Sequence, residues 1–272
     1  MILASGSQLA HVLAWVVAAA YLVSALMPRL GLRAAYLVVL LAWLMHAVVL
    51  TLGMLDGSPH FGFAAALSMT AWLVGSVYAV ESRSYPQLTI RRGMCVLAAV
   101  AVLLPLVFPG VALHPTASVW QPLHLGLGIA SYGLFGAAVF HAYLMGRAEA
   151  RMRRASHADR DAEAEAGVPL LTLERLTFRF VTAGFVLLTA TLLAGIFFGE
   201  SLYRSGLGWH VDHKSVFSIL SWLTFAALLF GRARYGWRGR RAVRVLYAGA
   251  GLLFLAYVGS RFVTEVLLGR LS

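Results

Sequence analysis

The chain has 272 residues, of which 60% are hydrophobic and 12% are charged, and its formal net charge is +11. This composition excludes an ordinary soluble domain and predicts one transmembrane domain over 1–272. The arginines lie at the edges of apolar segments, so we interpret the positive charge as anchoring to anionic lipid and expect no nucleic-acid partner.

Eight apolar segments come near the length of about 20 residues that a helix needs to cross a bilayer. The fourth and the seventh are short. We predict an all-α fold, a polytopic membrane helix bundle with eight transmembrane helices. The segments are 8–27, 34–54, 61–80, 92–108, 123–145, 178–198, 216–231 and 245–268.

The arginines fall into every second gap between these segments. The first, third, fifth and seventh gaps hold 18 of the 22 basic residues. Since cytoplasmic loops of membrane proteins are enriched in arginine and lysine, these gaps are predicted to be cytoplasmic and both termini to lie outside. The fifth gap, 146–177, is the one long polar segment and is expected to be a cytoplasmic linker that is mobile or weakly helical.

The histidines collect towards the predicted outer side, where seven of the nine lie. Neutral imidazole is a common ligand of haem iron and other metals, although an interfacial histidine also simply binds headgroups or carbonyls. His46 lies inside the second span, where an ionisable group usually faces a partner or a cavity. His141 is expected to contact headgroups near the inner boundary. The outer histidines are His11, His46, His60, His114, His124, His210 and His213.

No catalytic motif is present in the sequence. It has no HExxH pattern, and its one cysteine, Cys95, excludes an internal disulfide and a CxxC pair. We expect Cys95 to be a small buried apolar residue. No catalytic residue is predicted, and the sequence leaves open whether the chain takes part in an enzyme system.

Two stretches carry a resemblance to a known family. The first contains His114, Trp120 and His124, followed by a glycine-rich helix with Ser-Tyr-Gly at 131–133. The second is Gly-Trp-His-Val-Asp-His-Lys at 208–214, followed by Trp222. Together they resemble the cytochrome c assembly superfamily of haem-handling membrane proteins, of the CcsA, CcmC and ResC type. The resemblance is strongest over 110–268 and is closest to the YpjD/HemX-type branch.

The resemblance implies a haem b at the outer face, with two histidines bound to its iron. His124 matches the first external histidine of the family. Trp209, Asp212 and Lys214 match part of the family's tryptophan-rich "WWD" segment.

Other positions depart from that segment. Val211, His213 and Ser215 stand where the family has tryptophan, proline and glutamate. The family's second external histidine has no counterpart, so His213 is the first choice for the partner of His124 and His210 the second.

A haem slot also needs apolar walls and cations for the propionates. Trp120, Trp209 and Trp222 are candidates for the walls, although aromatic residues also collect at membrane interfaces for other reasons. Lys214, Arg204 and Arg261 are candidates for the propionate contacts. For Arg261 the alternative is an ion pair with Glu265 in the same helix.

The favoured function is therefore haem binding or haem handling in support of cytochrome c assembly, with haem and an assembly protein as partners. The location is then a bacterial-type cytoplasmic (inner) membrane. The alternative is a membrane accessory without haem, a HemX-like regulator or a transporter partner, whose cytoplasmic arginines dock another protein. A small-ion or solute transporter is the third hypothesis.

Overall fold

The computed structural model describes residues 3–27, 31–55, 60–84, 91–112, 120–154, 170–197 and 213–267. Over these ranges the chain is helical apart from two strands of two residues each. Its elements are α1 (Leu3–Leu26), α2 (Leu32–Leu55), β1 (His60–Phe61), α3 (Phe63–Ser84), α4 (Arg91–Val107), β2 (Val111–Ala112), α5 (Trp120–Arg154), α6 (Leu170–Phe197), α7 (His213–Tyr235) and α8 (Gly239–Phe254).

The prediction of an all-helical membrane protein with eight helices is confirmed. Within the described ranges, seven helices are long and apolar enough to cross a membrane, and α4, with 17 residues, is shorter. The seventh predicted segment is full-length, because α7 has 23 residues. The predicted positions of the termini outside the membrane, and of a single domain over the whole chain, stay predictions.

The helices extend further into 146–177 than the sequence analysis expected. α5 has 35 residues and continues to Arg154, and α6 begins at Leu170. Alanine, arginine, glutamate and methionine between 147 and 154 are good helix formers, which explains the extension. Arg153 and Glu149 add an ion pair of 3.5 Å one turn apart, which contributes little because it is exposed. The stretch 155–169 lies outside the described residues.

Helix α8 changes its winding near its C-terminal end. A π-helical segment, Leu255–Gly259, follows it, then a short α-helical turn, Ser260–Phe262, and a second π-helical segment, Val263–Leu267. Hydrophobic periodicity cannot predict such a change, since the residues stay apolar while the hydrogen-bond spacing widens.

The chain divides into two compact units, which are described separately. The first contains Met1–Ser76, Thr89–Pro115 and Val258–Ser272, and the second contains Val77–Leu88 and Thr116–Tyr257. In the first unit α1 packs against α2 and α4. Small buried residues such as Ala14, Ala18 and Ala99 line this contact, and Cys95 lies among them, 3% exposed. The prediction that Cys95 is a buried apolar residue is confirmed.

A two-stranded antiparallel pair joins β1 to β2 in the first unit, with His60 opposite Ala112 and Phe61 opposite Val111. Gly110, just before β2, has φ of 82°, a left-handed conformation that favours glycine. A Cβ at this position would lie 2.6 Å from the main-chain nitrogen of Gly62. The approach of the two strands therefore requires glycine at 110.

Two helix pairs of the second unit, α5 with α6 and α7 with α8, pack by the same arrangement. Ser131 on α5 donates a hydrogen bond of 3.2 Å to the carbonyl of Gly184 on α6, and the ring of Phe135 covers that glycine. Ser221 on α7 donates one of 2.9 Å to the carbonyl of Gly249 on α8, which a phenylalanine also covers. In both pairs a serine bonds the glycine carbonyl and a phenylalanine four residues later lies on the glycine. We call this the Ser-Gly-Phe arrangement.

The two arrangements meet at the centre of the second unit. Phe225 is the phenylalanine on Gly249, and its ring stacks on that of Phe135 with centroids 3.8 Å apart and planes 6° apart. Both rings are at most 2% exposed and lie in a cluster with Val181, Leu188 and other buried residues of α5 to α8. The tyrosine next to Ser131, Tyr132, donates a hydrogen bond to the carbonyl of Leu253 on α8. The two helices α5 and α7 share the short pattern Ser-aromatic-x-x-Phe, at 131–135 and 221–225.

We predict that Gly249→Leu destabilises the protein by about 1–3 kcal/mol, the usual effect of overpacking a core. A Cβ at this position would lie 2.9 Å from the Phe225 ring, which the stack on Phe135 holds in place. Thermal unfolding in detergent measures the effect. The matched control is Gly251→Leu on the same helix, where an added Cβ meets nothing within 4 Å. Equal melting temperatures for the two variants would contradict the prediction.

Candidate functional site

The first turn of α5 presents His124 towards α6. A Cβ added to Gly195 on α6 would lie 3.5 Å from Cε1 of the imidazole, so the missing side chain of Gly195 gives the ring its space. The imidazole interacts with the main chain of Thr191. Its Nδ1 is buried and has no hydrogen-bond partner among the described residues. A buried nitrogen without a partner costs free energy unless something binds it.

The level of His124 along the bundle follows from how α5 packs on α6. His141 lies against Phe180, and Phe135 lies on Gly184. Nearer the start of α5, Gly128 faces Thr191. The two helices are therefore antiparallel, and His124 is level with the last turn of α6.

Helix α7 also runs antiparallel to α6. Arg232 contacts Glu174, and Trp222 contacts Phe185 and Thr189. Continuing this register to the first residue of α7 brings His213 level with the last turn of α6 as well. His213 is exposed. His124 and His213 thus lie at the same end of the second unit and at about the same level on α6.

The other residues of this end that were predicted to line the haem slot or to contact the propionates differ in their burial and contacts. Trp222 donates a hydrogen bond of 2.8 Å from Nε1 to Oγ1 of Thr189 and stacks on Phe185, so it packs α7 against α6. Trp120 begins α5 and is 42% exposed. Lys214 is half-buried in the first turn of α7.

The structure does not relate several of the predicted site residues to His124 and His213. His210, Trp209, Asp212, Arg204 and His114 lie outside the described residues. Arg261 belongs to the first unit, in the turn Ser260–Phe262 between the two π-helical segments. Its proposed pairing with Glu265 involves a side chain that the structure does not describe.

In the part of the chain that the structure describes, no three histidine, cysteine, aspartate or glutamate side chains lie close enough to hold a metal ion together.

His46 of the first unit is fully buried, as its place inside a span suggested. Its Nε2 lies 3.0 Å from Oγ of Ser68, and the ring contacts Tyr21 edge-on at 6.0 Å. Close by in sequence, Trp43 and Trp72 stack with centroids 5.0 Å apart. These contacts join α2 to α1 and α3, while Nδ1 of His46 is buried and has no hydrogen-bond partner among the described residues.

The expectation that His141 contacts headgroups is wrong. His141 is 1% exposed, and its Nε2 lies 2.7 Å from Oε2 of Glu81 at the end of α3. The sequence analysis did not single out Glu81, because it lies one residue beyond the predicted third span. The signal was available: an acidic residue near a span and a histidine inside one could have been paired as mutual partners.

A second polar cluster lies at the turn between α7 and α8. Arg232 contacts Oε1 of Glu174 at 3.3 Å and covers the ring of Phe178 with its guanidinium carbon 3.4 Å from the centroid. Trp237 occupies the space above Gly231, where a Cβ would lie 2.4 Å from the indole. The arginines beyond the turn are exposed, namely Arg234, Arg238, Arg240, Arg241 and Arg244.

Comparison with known proteins gives relatives over part of the chain. It is 34% identical over 154 residues to the inner membrane protein YpjD of Escherichia coli strain K12, covering 57% of this chain and 56% of that protein. It is 32% identical over 154 residues to an uncharacterized 28.8 kDa protein of Azospirillum brasilense, covering 56% and 54%. The chain thus spans about half the length of these curated relatives.

A more distant relative bears a functional name. The cytochrome c biogenesis protein CcsA of Prochlorococcus marinus is 33% identical over 91 residues, which is 34% of this chain and 28% of that protein. No solved structure matches the chain.

The family description "Cytochrome C assembly protein" matches residues 32–268, which is most of the chain. The resemblance inferred from the histidine and tryptophan stretches is thereby confirmed. With its long apolar helices, the chain is a multi-pass membrane protein that belongs to the cytochrome c assembly protein family.

Proposed function

We propose that this protein binds and handles haem in support of cytochrome c assembly, in a bacterial inner membrane. Haem b is held at the outer face, where α5 and α7 begin, with His124 as an axial ligand of the iron. The observation that carries the proposal is the buried Nδ1 of His124, which has no partner among the described residues. Family membership and the names of the relatives YpjD and CcsA support it.

The surroundings of His124 fit an iron ligand. A ligating histidine usually has one ring nitrogen held by a carbonyl or carboxylate and the other turned to the metal. His124 interacts with the main chain of Thr191 and keeps Nδ1 without a protein partner in the described part of the chain. Bound haem would supply an iron centre whose redox behaviour its axial ligands adjust. The protein would supply the imidazole, its orientation by α6, and an apolar setting.

His213 is the favoured second ligand, and His210 is the second choice. The register of α5 and α7 on α6 supports His213, because it is level with His124 at the last turn of α6. Its exposure leaves the imidazole accessible to a haem that approaches from outside the bundle. Lys214, the next residue, offers a cation for a propionate. Trp120 and Trp209 would line the slot. In the sequence, Asp212 stands between His210 and His213.

The alternative is a membrane accessory that does not bind haem, such as a regulator or a transporter partner. The departures from the tryptophan-rich segment at Val211, His213 and Ser215 favour it. The exposed arginines after α7, which would suit an acidic partner or anionic lipid, favour it as well. The two functions differ in whether the purified protein carries a chromophore.

We expect the detergent-purified protein to show a haem Soret band, directly or after haem is added. His124→Ala and His213→Ala should each shift the band or abolish it, because each variant loses one axial ligand. Visible spectra of oxidised and reduced protein measure this. His11→Ala, an exposed histidine on α1, is the matched control and should leave the spectrum unchanged. A colourless parent that stays colourless with added haem would reject haem binding and favour the accessory function.

We expect Gly195→Leu to weaken haem binding about 10- to 100-fold, the usual effect of disturbing the residues that orient a metal ligand. The new side chain would enter the space 3.5 Å from Cε1 of His124 and turn the ring away. Haem titration followed at the Soret band measures the affinity. Gly126→Leu on α5, where an added Cβ meets nothing within 4 Å, should bind haem like the parent. Equal affinities for both variants would argue against His124 as a ligand.

The outer location of the site depends on the predicted orientation, which labelling of single cysteines tests. In a Cys95→Ala background, His60→Cys should react with a membrane-impermeant maleimide in intact cells, since β1 is predicted to be outside. Arg153→Cys at the end of α5 and Arg240→Cys in α8 should react only after the membrane is opened. All three side chains are exposed in the structure. The reverse labelling pattern would move the proposed site to the cytoplasmic face.

A further inference from the structure

Glu81 on α3 and His141 on α5 form a buried ionisable pair in the second unit, far along α5 from His124. Glu81 is 8% exposed and His141 is 1% exposed, and Oε2 of Glu81 lies 2.7 Å from Nε2 of His141. Both lie in helices apolar enough to cross a membrane. Ionisable groups are costly there and usually mark a function.

The contact made by Nδ1 of His141 shows which ring nitrogen carries a hydrogen. Nδ1 lies 2.7 Å from the carbonyl oxygen of Ala137, one turn earlier on α5. A carbonyl oxygen can only accept a hydrogen bond, so Nδ1 must carry a hydrogen. A neutral imidazole has only one N–H group. With the hydrogen on Nδ1, the Nε2 atom next to Glu81 carries a lone pair and no hydrogen.

A carboxylate oxygen also carries only lone pairs. If neither atom carried a hydrogen, the nitrogen and the oxygen would repel at 2.7 Å, and a buried negative charge without a hydrogen-bond partner is costly. The contact therefore holds one further proton, on Nε2 or on Oε2. Either form leaves the pair with no net charge, which is the form an apolar setting tolerates best.

We propose that Glu81 and His141 are a proton-binding site within the membrane-spanning region, with one exchangeable proton held on Oε2 or on Nε2. Binding joins a proton to a carboxylate and a neutral imidazole, and the net charge of the pair changes from −1 to zero. Release returns the proton to water and breaks no other covalent bond. The ligand of this site is the proton itself, and the site does not depend on the binding of haem.

The surroundings isolate the pair from other charges. The rings of Phe140 and Phe180 lie 5.9 Å and 5.3 Å from the imidazole, and Tyr78 packs on Phe140. Within the described residues, both Glu81 oxygens and Nε2 of His141 are buried, and none of the three atoms has a hydrogen-bond partner of good geometry. The neighbouring ionisable side chains of the packed helices are exposed: Tyr143 and Arg147 on α5, Arg175 and Arg179 on α6, and Arg244 and Tyr247 on α8. In the described region, His141 is thus the polar group in contact with Glu81.

Infrared difference spectroscopy of the membrane-reconstituted protein across a series of pH steps tests the site. We expect carboxyl and imidazole bands that change with the steps and shift in D₂O. Both sets of bands should disappear in Glu81→Gln, whose amide can still donate to Nε2 and so keeps the contact without the exchangeable proton. They should also disappear in His141→Asn, because each group needs the other to hold the proton.

Two control variants assign the bands. Glu174→Gln removes another largely buried carboxylate of the same unit, one paired with Arg232, and should leave the bands in place. His11→Asn removes an exposed histidine and should do the same. The proposal is overturned if no band that depends on Glu81 responds to pH while the protein stays folded. It is also overturned if the Glu81 band changes identically in His141→Asn. If a variant fails to fold, a parent spectrum in which no carboxyl band responds to pH overturns the proposal by itself.

Discussion

The close approach of helices at Gly184 and Gly249 is the constraint on which the second unit depends. In lipid there is little hydrophobic gain from bringing helices together, so van der Waals contact and hydrogen bonds must hold them. A glycine lets the phenylalanine ring of the facing helix lie on the main chain, and a serine one turn earlier bonds the exposed carbonyl. The stack of Phe135 on Phe225 then links the two helix pairs.

This packing also sets the surroundings of the proposed haem site. Because α5 and α7 both pack on α6, the levels of His124 and His213 are fixed by contacts deep in the bundle, not by the loops before them. Gly195 at the end of α6 resembles Gly184 in the middle of α6, because each glycine faces a ring from α5. At the end of the bundle that ring is an imidazole, whose Nδ1 has no hydrogen-bond partner among the described residues, rather than a phenyl group.

The buried polar groups of the two units have different kinds of partner. In the first unit, hydroxyl groups and main-chain carbonyls bond ring nitrogens, as Ser68 does for Nε2 of His46 and Ser76 and the carbonyl of Trp43 do for the two tryptophans. Nδ1 of His46 is buried and has no hydrogen-bond partner among the described residues. In the second unit a carboxyl group faces an imidazole. An uncharged partner costs little in an apolar setting, whereas the Glu81–His141 pair is tolerated only if a proton keeps its net charge at zero. The polar groups of the first unit therefore pack helices together, whereas the Glu81–His141 pair is the one that we propose binds a proton.

The sequence by itself determined the helical membrane class, the presence of eight helices, and the family, because hydrophobicity and a few histidine and tryptophan positions are local properties. It also determined that Cys95 is buried among apolar side chains. It placed His124 at the start of a helix but not against Gly195, and it assigned His141 to headgroups although Glu81 is its partner. The partners of these two histidines lie on other helices. Only the tertiary structure decided them, because the register between helices depends on where small residues allow close approach, and a hydrophobic pattern does not contain that information.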